Sequence, residues 1–431
     1  MQITIVRYIM ALVFVGVALH QLSAQNYSAL SEDGVQISEI VLEGNKITKS
    51  NIILRELMFS EGDTLERNAL ESSIEKSREN LLNLSIFNFV TIESEYIEDD
   101  RISILVSVIE RWYIWPSPIF EHGERNLSIF LKNPRWDRLN YGLWLKWNNF
   151  RGRNELLNLI IRTGYKEHYA LQFEKPNLGA SENHKLIVST SLSRQHRVNY
   201  ITVGNRPVYF TDEENYAFGS YDGFIAYTYR PEIYSRHRLR FYYVNDWISD
   251  TVASLNPLFF GEGYTRYQHF KMDYVFNYDK RDSKIYPLEG NAFKVKVLRR
   301  GLGIIQSYPY GNWEGEAGWF LHRKLTDRLY IADVAKGKVS TRKEVPLYQQ
   351  QAFGYTEYLT GYDDFIIDGT DYLINKVVLK YQLVKPQVVD IPFIKAKQFR
   401  KVHYSIYINL LGDIGYVNNK FPLPTNNMVN S

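Results

Sequence analysis

The densest grouping of chemically capable side chains lies at residues 278–297, YDKRDSKIYPLEGNAFKVKV. Asp279, Arg281 and Asp282 set a guanidinium beside two carboxylates, the ingredients of a bidentate ion pair. Pro287 and Gly290 follow, residues that fix or free the backbone in a turn. Lys294 and Lys296 then alternate with Phe293, Val295 and Val297, the period-two pattern of a strand with one cationic and one apolar face. None of this is a catalytic constellation. Gly219-Ser220-Tyr221-Asp222-Gly223 carries Tyr221 where a hydrolase elbow needs serine. There is no His-Glu-x-x-His and no phosphate-cradling glycine loop, and the 9 histidines are scattered without ligand spacing. The chain has 0 cysteines, which excludes disulfides, thiolate metal sites and cysteine nucleophiles. We read it as a non-enzyme without cofactor or metal.

The elements that carry these residues follow from composition and period. The chain has 431 residues and a formal net charge of +3, too small for a nucleic-acid footprint. Aromatic residues make up 15%, with 33 Tyr, 23 Phe and 8 Trp. Such usage favours strands, and belts of Tyr and Trp mark the interfaces of membrane barrels. Residues 1–24 predict a signal peptide: Arg7, an apolar run from Ile9 to Leu19, then LSA ahead of Gln25. No later stretch is apolar for long enough to form a spanning helix, so a membrane form must be a closed barrel.

Residues 35–110 predict a small domain of order β-α-α-β-β. VQISEIVLEGN is a strand ending at Gly44-Asn45. Ser50 can cap a first helix through Ile53, Leu54 and Leu57. Asp63 or Thr64 can cap a second, in which Leu70, Ile74, Ser77 and Leu81 recur at helical spacing. IFNFVTIESEY and ISILVSVIE are two strands joined by IEDD.

From Glu110 onward the helical period disappears. About thirteen strands are predicted, at 112–121, 140–150, 154–165, 168–177, 184–198, 217–230, 237–249, 264–280, 291–301, 312–324, 328–340, 371–385 and 401–417. Val377, Leu379, Tyr381 and Leu383 oppose Lys376, Lys380 and Gln382; Leu239, Phe241 and Tyr243 oppose Arg238 and Arg240. A soluble sandwich shows the same alternation. The strand number and length favour a transmembrane barrel, as do short turns such as RGRN beside long loops at 198–216 and 341–370. The lysines at 294 and 296 would face a wet lumen.

Two resemblances sharpen this. Ile40-x-Leu42-x-Gly44-Asn45, Gly62-Asp63 and Phe87-x-x-Val90 resemble a POTRA domain, the periplasmic module of outer-membrane assembly and secretion barrels. Asp279, Arg281, Asp282, Pro287 and Gly290 resemble the Asp-x-Arg-Asp … Pro-x-x-Gly signature of the bacterial surface antigen family, the barrels of BamA/TamA-type proteins. ERWYIWP at 110–116 and LLGDIGYV at 410–417 resemble the entry into such a barrel and one of its late strands. The resemblance implies an all-β transmembrane barrel of sixteen strands in the outer membrane, with one α/β POTRA domain in the periplasm. Residues 111–431 would then hold a barrel incomplete at its C-terminal end, because the chain closes in the polar stretch PLPTNNMVNS.

The resemblance also implies a function: insertion or translocation of polypeptides, with client strands added at a POTRA edge and a wall that opens at a weak seam. Pro116 and Pro118 in the first barrel strand each lack a donor, which suits such a seam. The implied partners are unfolded outer-membrane or secreted polypeptides, outer-membrane lipids and accessory lipoproteins, with no nucleic acid. A passive pore and a dedicated secretion conduit are the alternatives. One departure concerns the loop that folds into the lumen in this family with Arg-Gly-Phe/Tyr. Here Thr360-Gly361-Tyr362 stands in its place, and threonine cannot offer a bidentate charge to an inner-wall acid such as Asp413.

Overall fold

The computed structural model describes residues 34–98, 100–123, 131, 134–176, 178, 183–232, 234–305, 311–342, 345–362, 365–391 and 401–419. The predicted signal peptide and the C-terminal polar stretch lie outside these residues. The described residues divide into two compact units, Ser50–Glu110 with the residues before Ile47, and Ile47–Lys49 with those from Arg111 on.

The first unit is a mixed sheet packed on a helix. Its elements are β1 (Gly34–Glu43), α1 (Ser50–Leu54), β2 (Thr64–Glu66), α2 (Arg67–Asn83), β3 (Phe87–Glu98) and β4 (Arg101–Glu110). The sheet order is β2-β1-β4-β3, with β1 parallel to β4 and the other ladders antiparallel. Period-two burial along β4 seats Ile102, Ile104, Val106 and Val108 in the core with Leu70 and Leu81 of α2. The start of the second helix differs from expectation. Thr64 belongs to the short strand β2, and Asp63 closes the turn before it by accepting the Ser60 N–H at 2.8 Å. The helix therefore begins at Arg67, with Glu66 extended and no side-chain cap.

The second unit is dominated by one antiparallel sheet. Its strands are β5 (Ile114–His122), β6 (Leu139–Phe150), β7 (Glu155–Gly164), β8 (Lys166–Pro176) and β9 (His184–Gln195). A separate hairpin follows, β10 (Arg197–Val203) and β11 (Arg206–Thr211). The main sheet continues with β12 (Phe218–Tyr229), β13 (Ser235–Ile248), β14 (Arg266–Asp279), β15 (Gly290–Arg300), β16 (Asn312–Lys324) and β17 (Leu329–Ser340). After the short pair β18 (Gln351–Phe353) and β19 (Ile367–Asp368) come β20 (Asp371–Asp390) and β21 (Lys401–Asn418). The large sheet has 13 strands in the order β21-β20-β17-β16-β15-β14-β13-β12-β9-β8-β7-β6-β5. Among the described residues no helix is long and apolar enough to cross a membrane, which leaves crossing by strands untouched.

The faces of this sheet are inside out. On β20, Val377, Tyr381 and Leu383 are 39–45% exposed, whereas Lys380 and Gln382 on the other face are 7% and 4% exposed. Leu239 and Phe241 of β13 are likewise exposed. Beneath them Arg240 forms a two-pronged pair with Asp273, at 2.8 and 2.6 Å. The covered face also holds Arg300–Glu314 and Lys296–Glu316. A water-soluble sandwich hides its apolar side. A sheet that shows apolar side chains outward and encloses ion pairs is built for lipid outside and a polar interior. We call the polar side the inner face.

The two long loops are not plain loops. Within 198–216 the β10–β11 hairpin turns on Gly204 and Asn205, both at positive φ (55° and 59°), the geometry a two-residue hairpin requires. Residues 250–255 form α3 (Asp250–Leu255), capped by the Ser249 side chain. Val198, Ala217, Val252, Phe259, Phe260 and Tyr267 form a buried cluster over this end of the sheet.

Candidate functional site

Three features of the described structure could act on a polypeptide: the sheet edges, the loop laid on the inner face, and the turn carrying the charged signature.

Among the described residues, β3 is hydrogen-bonded to β4 alone, so one side of its 12 residues has no described strand partner. It also carries exposed Phe89, Tyr96 and Ile97. The motif residues of this unit hold the frame rather than the edge. Gly44 has φ 83°, and a Cβ there would lie 1.9 Å from the Val108 carbonyl oxygen. The Asn45 amide reaches the Ser50 hydroxyl at 3.5 Å. The Gly62 N–H donates to Ile37 O at 2.8 Å, the Asp63 carbonyl accepts from Ile37 N–H at 2.9 Å, and Phe87 is fully buried.

β5 is the other notable edge among the described strands. Tyr113 O accepts from Asn148 N–H, and Gly123 N–H donates to Arg138 O, so odd-numbered residues bond toward β6. The register between these points has no shift. Even-numbered residues therefore direct their backbone groups to the unpaired side. Pro116 and Pro118 both fall there, and the open edge has carbonyls but no N–H at either position.

The loop 351–362 lies on the inner face of β17, β20 and β21. Lys336 Nζ donates to both Glu357 carboxylate oxygens at 2.9 Å, and Lys338 Nζ to Gln351 O at 2.6 Å. Lys376 Nζ donates to Tyr358 O and stands 3.6 Å from Asp413. Asp413 Oδ2 accepts from the Thr360 N–H at 2.9 Å and from its hydroxyl at 3.0 Å. Phe353 sits against Gly415, where a Cβ would come within 2.6 Å of its ring. Gly361 turns at φ 83° with open space around it, and Tyr362 packs on Phe365 at 5.7 Å. Tyr355 donates to Asp368 at 2.6 Å, and burial beside that carboxylate pushes its phenol well above the ordinary range. The structure thus brings Thr360 and Asp413 together. The charged anchors, however, are wall lysines holding a loop acid and loop carbonyls.

The signature turn, 280–289, reaches further than a tight connection. Arg281 grips Asp279 with two hydrogen bonds of 2.8 Å. Asp282 accepts from the Ser283 and Leu288 N–H groups at 2.8 and 3.0 Å. Gly290, at φ 99°, admits the Lys280 carbonyl where a Cβ would come within 2.3 Å. The turn so shaped extends to strands remote along the sheet. Lys380 Nζ donates to Pro287 O at 2.7 Å and lies 4.2 Å over the Tyr286 ring. The Tyr286 hydroxyl donates to Asn409 at 3.0 Å. Neither the motifs nor the resemblance points to Glu357, Lys336, Tyr286 or Lys380. Only their facing positions on different strands join them.

No group of three or more potential metal-ligating His, Cys, Asp or Glu residues occurs among the described residues. An inside-out antiparallel sheet with a loop laid on its polar face, accompanied by a small βαβαββ unit, defines a transmembrane β-barrel protein with an appended POTRA domain. Family comparison agrees. The POTRA (surface antigen variable number repeat) family matches residues 35–111, and the Omp85 superfamily domain matches residues 149–381. The chain belongs to the Omp85 superfamily, a protein of the outer membrane with its POTRA domain in the periplasm. The outer membrane protein assembly factor BamA of Neorickettsia risticii (strain Illinois) is 34% identical over 85 residues, 20% of this chain and 11% of that protein. Among solved structures, BamA from Haemophilus ducreyi lacking POTRA domains 1–3 has a TM-score of 0.57 at 15% identity, covering 88% of this chain and 71% of that one. CdiB from Acinetobacter baumannii has a TM-score of 0.50 at 12% identity, covering 90% and 65%. At these identities the likeness establishes the fold alone.

Proposed function

We propose that this chain inserts or translocates other polypeptides at the outer membrane, taking extended client segments by strand addition on β3 and handling them at a barrel wall that opens along β5. The observation that carries this reading is the placement of Pro116 and Pro118 on the same unpaired edge. A wall meant to stay closed needs a full ladder of donors, because an unmade backbone hydrogen bond in lipid costs several kcal/mol. An edge without two of its donors closes weakly. The loop on the inner face weighs against a simple diffusion pore, since it occupies the polar side that solutes would follow. Client strands would be recognised mainly through backbone hydrogen bonds, which permits many sequences. The partners are then unfolded outer-membrane or secreted polypeptides, with accessory lipoproteins as helpers.

The test is assembly of an unfolded outer-membrane polypeptide in proteoliposomes holding this protein, read as protease-protected client. Photo-crosslinkers on β3 and β5 should capture that client. Solute conductance with no client protection and no crosslink would overturn the reading in favour of a pore.

A further inference from the structure

The lysines of the sequence 293–297 are not all used by the fold. Lys296 pairs with Glu316 at 2.9 Å, and Lys336 pairs with Glu357 at 2.9 Å. Lys294 is exposed on the same inner face and makes no hydrogen bond or ion pair among the described residues. These three ammonium groups and two carboxylates line one cavity of about 90 Å³.

Register explains why a hollow exists there. Lys294 pairs across to Gly318, and Gly318 pairs onward to Lys336. The two lysines thus flank a glycine in one row across three strands, roughly 10 Å apart at two strand spacings. Any side chain at Gly318 would project between them, its Cβ already 3.2 Å from the Phe320 ring. The row beyond is filled differently: Glu316 stands between Lys296 and Lys338. One row therefore carries its own acid between two lysines, and the next has an empty floor with Glu357 reaching in from the loop. The cavity exceeds the space one water needs several times over and suits a group of phosphate size.

We propose that this glycine-floored hollow is an oxyanion site, taking phosphate or a similar small oxyanion between Lys294 and Lys336, and that its occupant competes with Glu357 and loosens the loop 351–362. Lys294 contributes an uncommitted ammonium. Lys336 exchanges one carboxylate partner for the incoming anion, and the displaced Glu357 carboxylate turns to water as the loop loosens. The loosening of the loop rests on the Lys336–Glu357 pair that seats it; the anion site does not.

The experiment uses the full chain in detergent, titrated with inorganic phosphate against chloride at constant ionic strength. Because the chain has 0 cysteines, a Tyr358→Cys variant takes a single spin label while keeping the carbonyl that Lys376 holds. Saturable phosphate binding by calorimetry is expected, with label mobility rising along the same isotherm. Lys294→Gln should weaken binding about ten-fold or more, the effect of one charge-assisted hydrogen bond, and Lys294→Arg should retain it. Glu357→Gln should tighten phosphate binding and free the label without phosphate. Gly318→Val should abolish binding in a protein that still shows barrel circular dichroism. No saturable binding, or binding that Lys294→Gln leaves unchanged, overturns the site. Binding with an immobile label overturns the coupling to the loop and leaves the site standing. Client assembly in proteoliposomes without phosphate judges the proposed function separately.

Discussion

Thr360 and Asp413 meet through two hydrogen bonds that end on the same carboxylate oxygen, one from the backbone N–H at 2.9 Å and one from the hydroxyl at 3.0 Å. The backbone donor would exist with any residue but proline at 360, so the hydroxyl is the part that side-chain choice controls. Thr360→Val keeps the shape and deletes one donor. It should weaken loop seating by about 1 kcal/mol, read as faster proteolysis within 351–362. Asp413→Ala, which strips the acceptor from both donors and from Lys376, should be clearly worse. Equal proteolysis of the two variants would show that the shared oxygen does not hold the loop.

The Lys336–Glu357 pair is two-pronged and largely covered by the wall, with side-chain exposures of 31% and 17%. Reversing both charges should restore what each single reversal breaks. A double-mutant cycle of Lys336→Glu and Glu357→Lys should give a coupling on the order of 0.5–3 kcal/mol, measured as loop release by a spin label. Additive single effects would remove this pair from the account.

Pro116→Ala and Pro118→Ala together give β5 two donors on its unpaired side. Closure of the wall should become firmer and client assembly in proteoliposomes slower, while the ladder to β6 and thermal stability in detergent hold. Faster assembly, or a loss of the β5–β6 ladder, would contradict the assignment of edge.

Along β3, successive residues aim their N–H groups at opposite sides. Ser94→Pro and Glu95→Pro, tested separately, therefore divide into one variant that strips the open edge and one that breaks the ladder to β4. The edge variant should lose client crosslinking with its domain fold intact. Retained crosslinking in a folded edge variant would remove strand addition on β3 as the capture mode.

The turn 280–289 ties β15 to strands far along the sheet through one tyrosine. Tyr286→Phe removes the hydroxyl that donates to Asn409 and keeps the ring beneath Lys380. Amide exchange in β21 near Asn409 should rise by several-fold, matching a loss of about 1 kcal/mol. Unchanged exchange would mean the turn rests on β21 without steadying it.

Strands were legible because each carries its own alternation: Phe293, Val295 and Val297 against Lys294 and Lys296 need no partner to be read. The β10–β11 hairpin reads as loop in sequence although Gly204-Asn205 is a two-residue turn pair, because Pro207 and its short flanks carry a weak strand signal. Asp63 and Thr64 are both good capping residues and predict an early start for the second helix; Asp63 instead serves the turn at Ser60, and Thr64 pairs with Gln36. At the inner face, the resemblance points to Thr360 and Asp413 but not to Glu357 and Lys336. Their meeting depends on where the loop lands across strands, which no local period encodes. Tyr286 likewise reaches Asn409 across 123 positions of sequence.

If strands dock on β5 as proposed, the two edge prolines also set a time scale. A strand docking on β5 finds carbonyls at Pro116 and Pro118 but nothing to receive from at either position, so it forms two hydrogen bonds fewer than a complete zipper. At about 1 kcal/mol each, that deficit shortens the residence of a bound strand by roughly an order of magnitude or more. Asymmetry follows as well: donors on the incoming strand are satisfied, and two of its acceptors are left for water or a later neighbour. On the proposed function, such an edge would hold a docked strand long enough to align it and then let it go, a dwell time written into the backbone and not into any side chain.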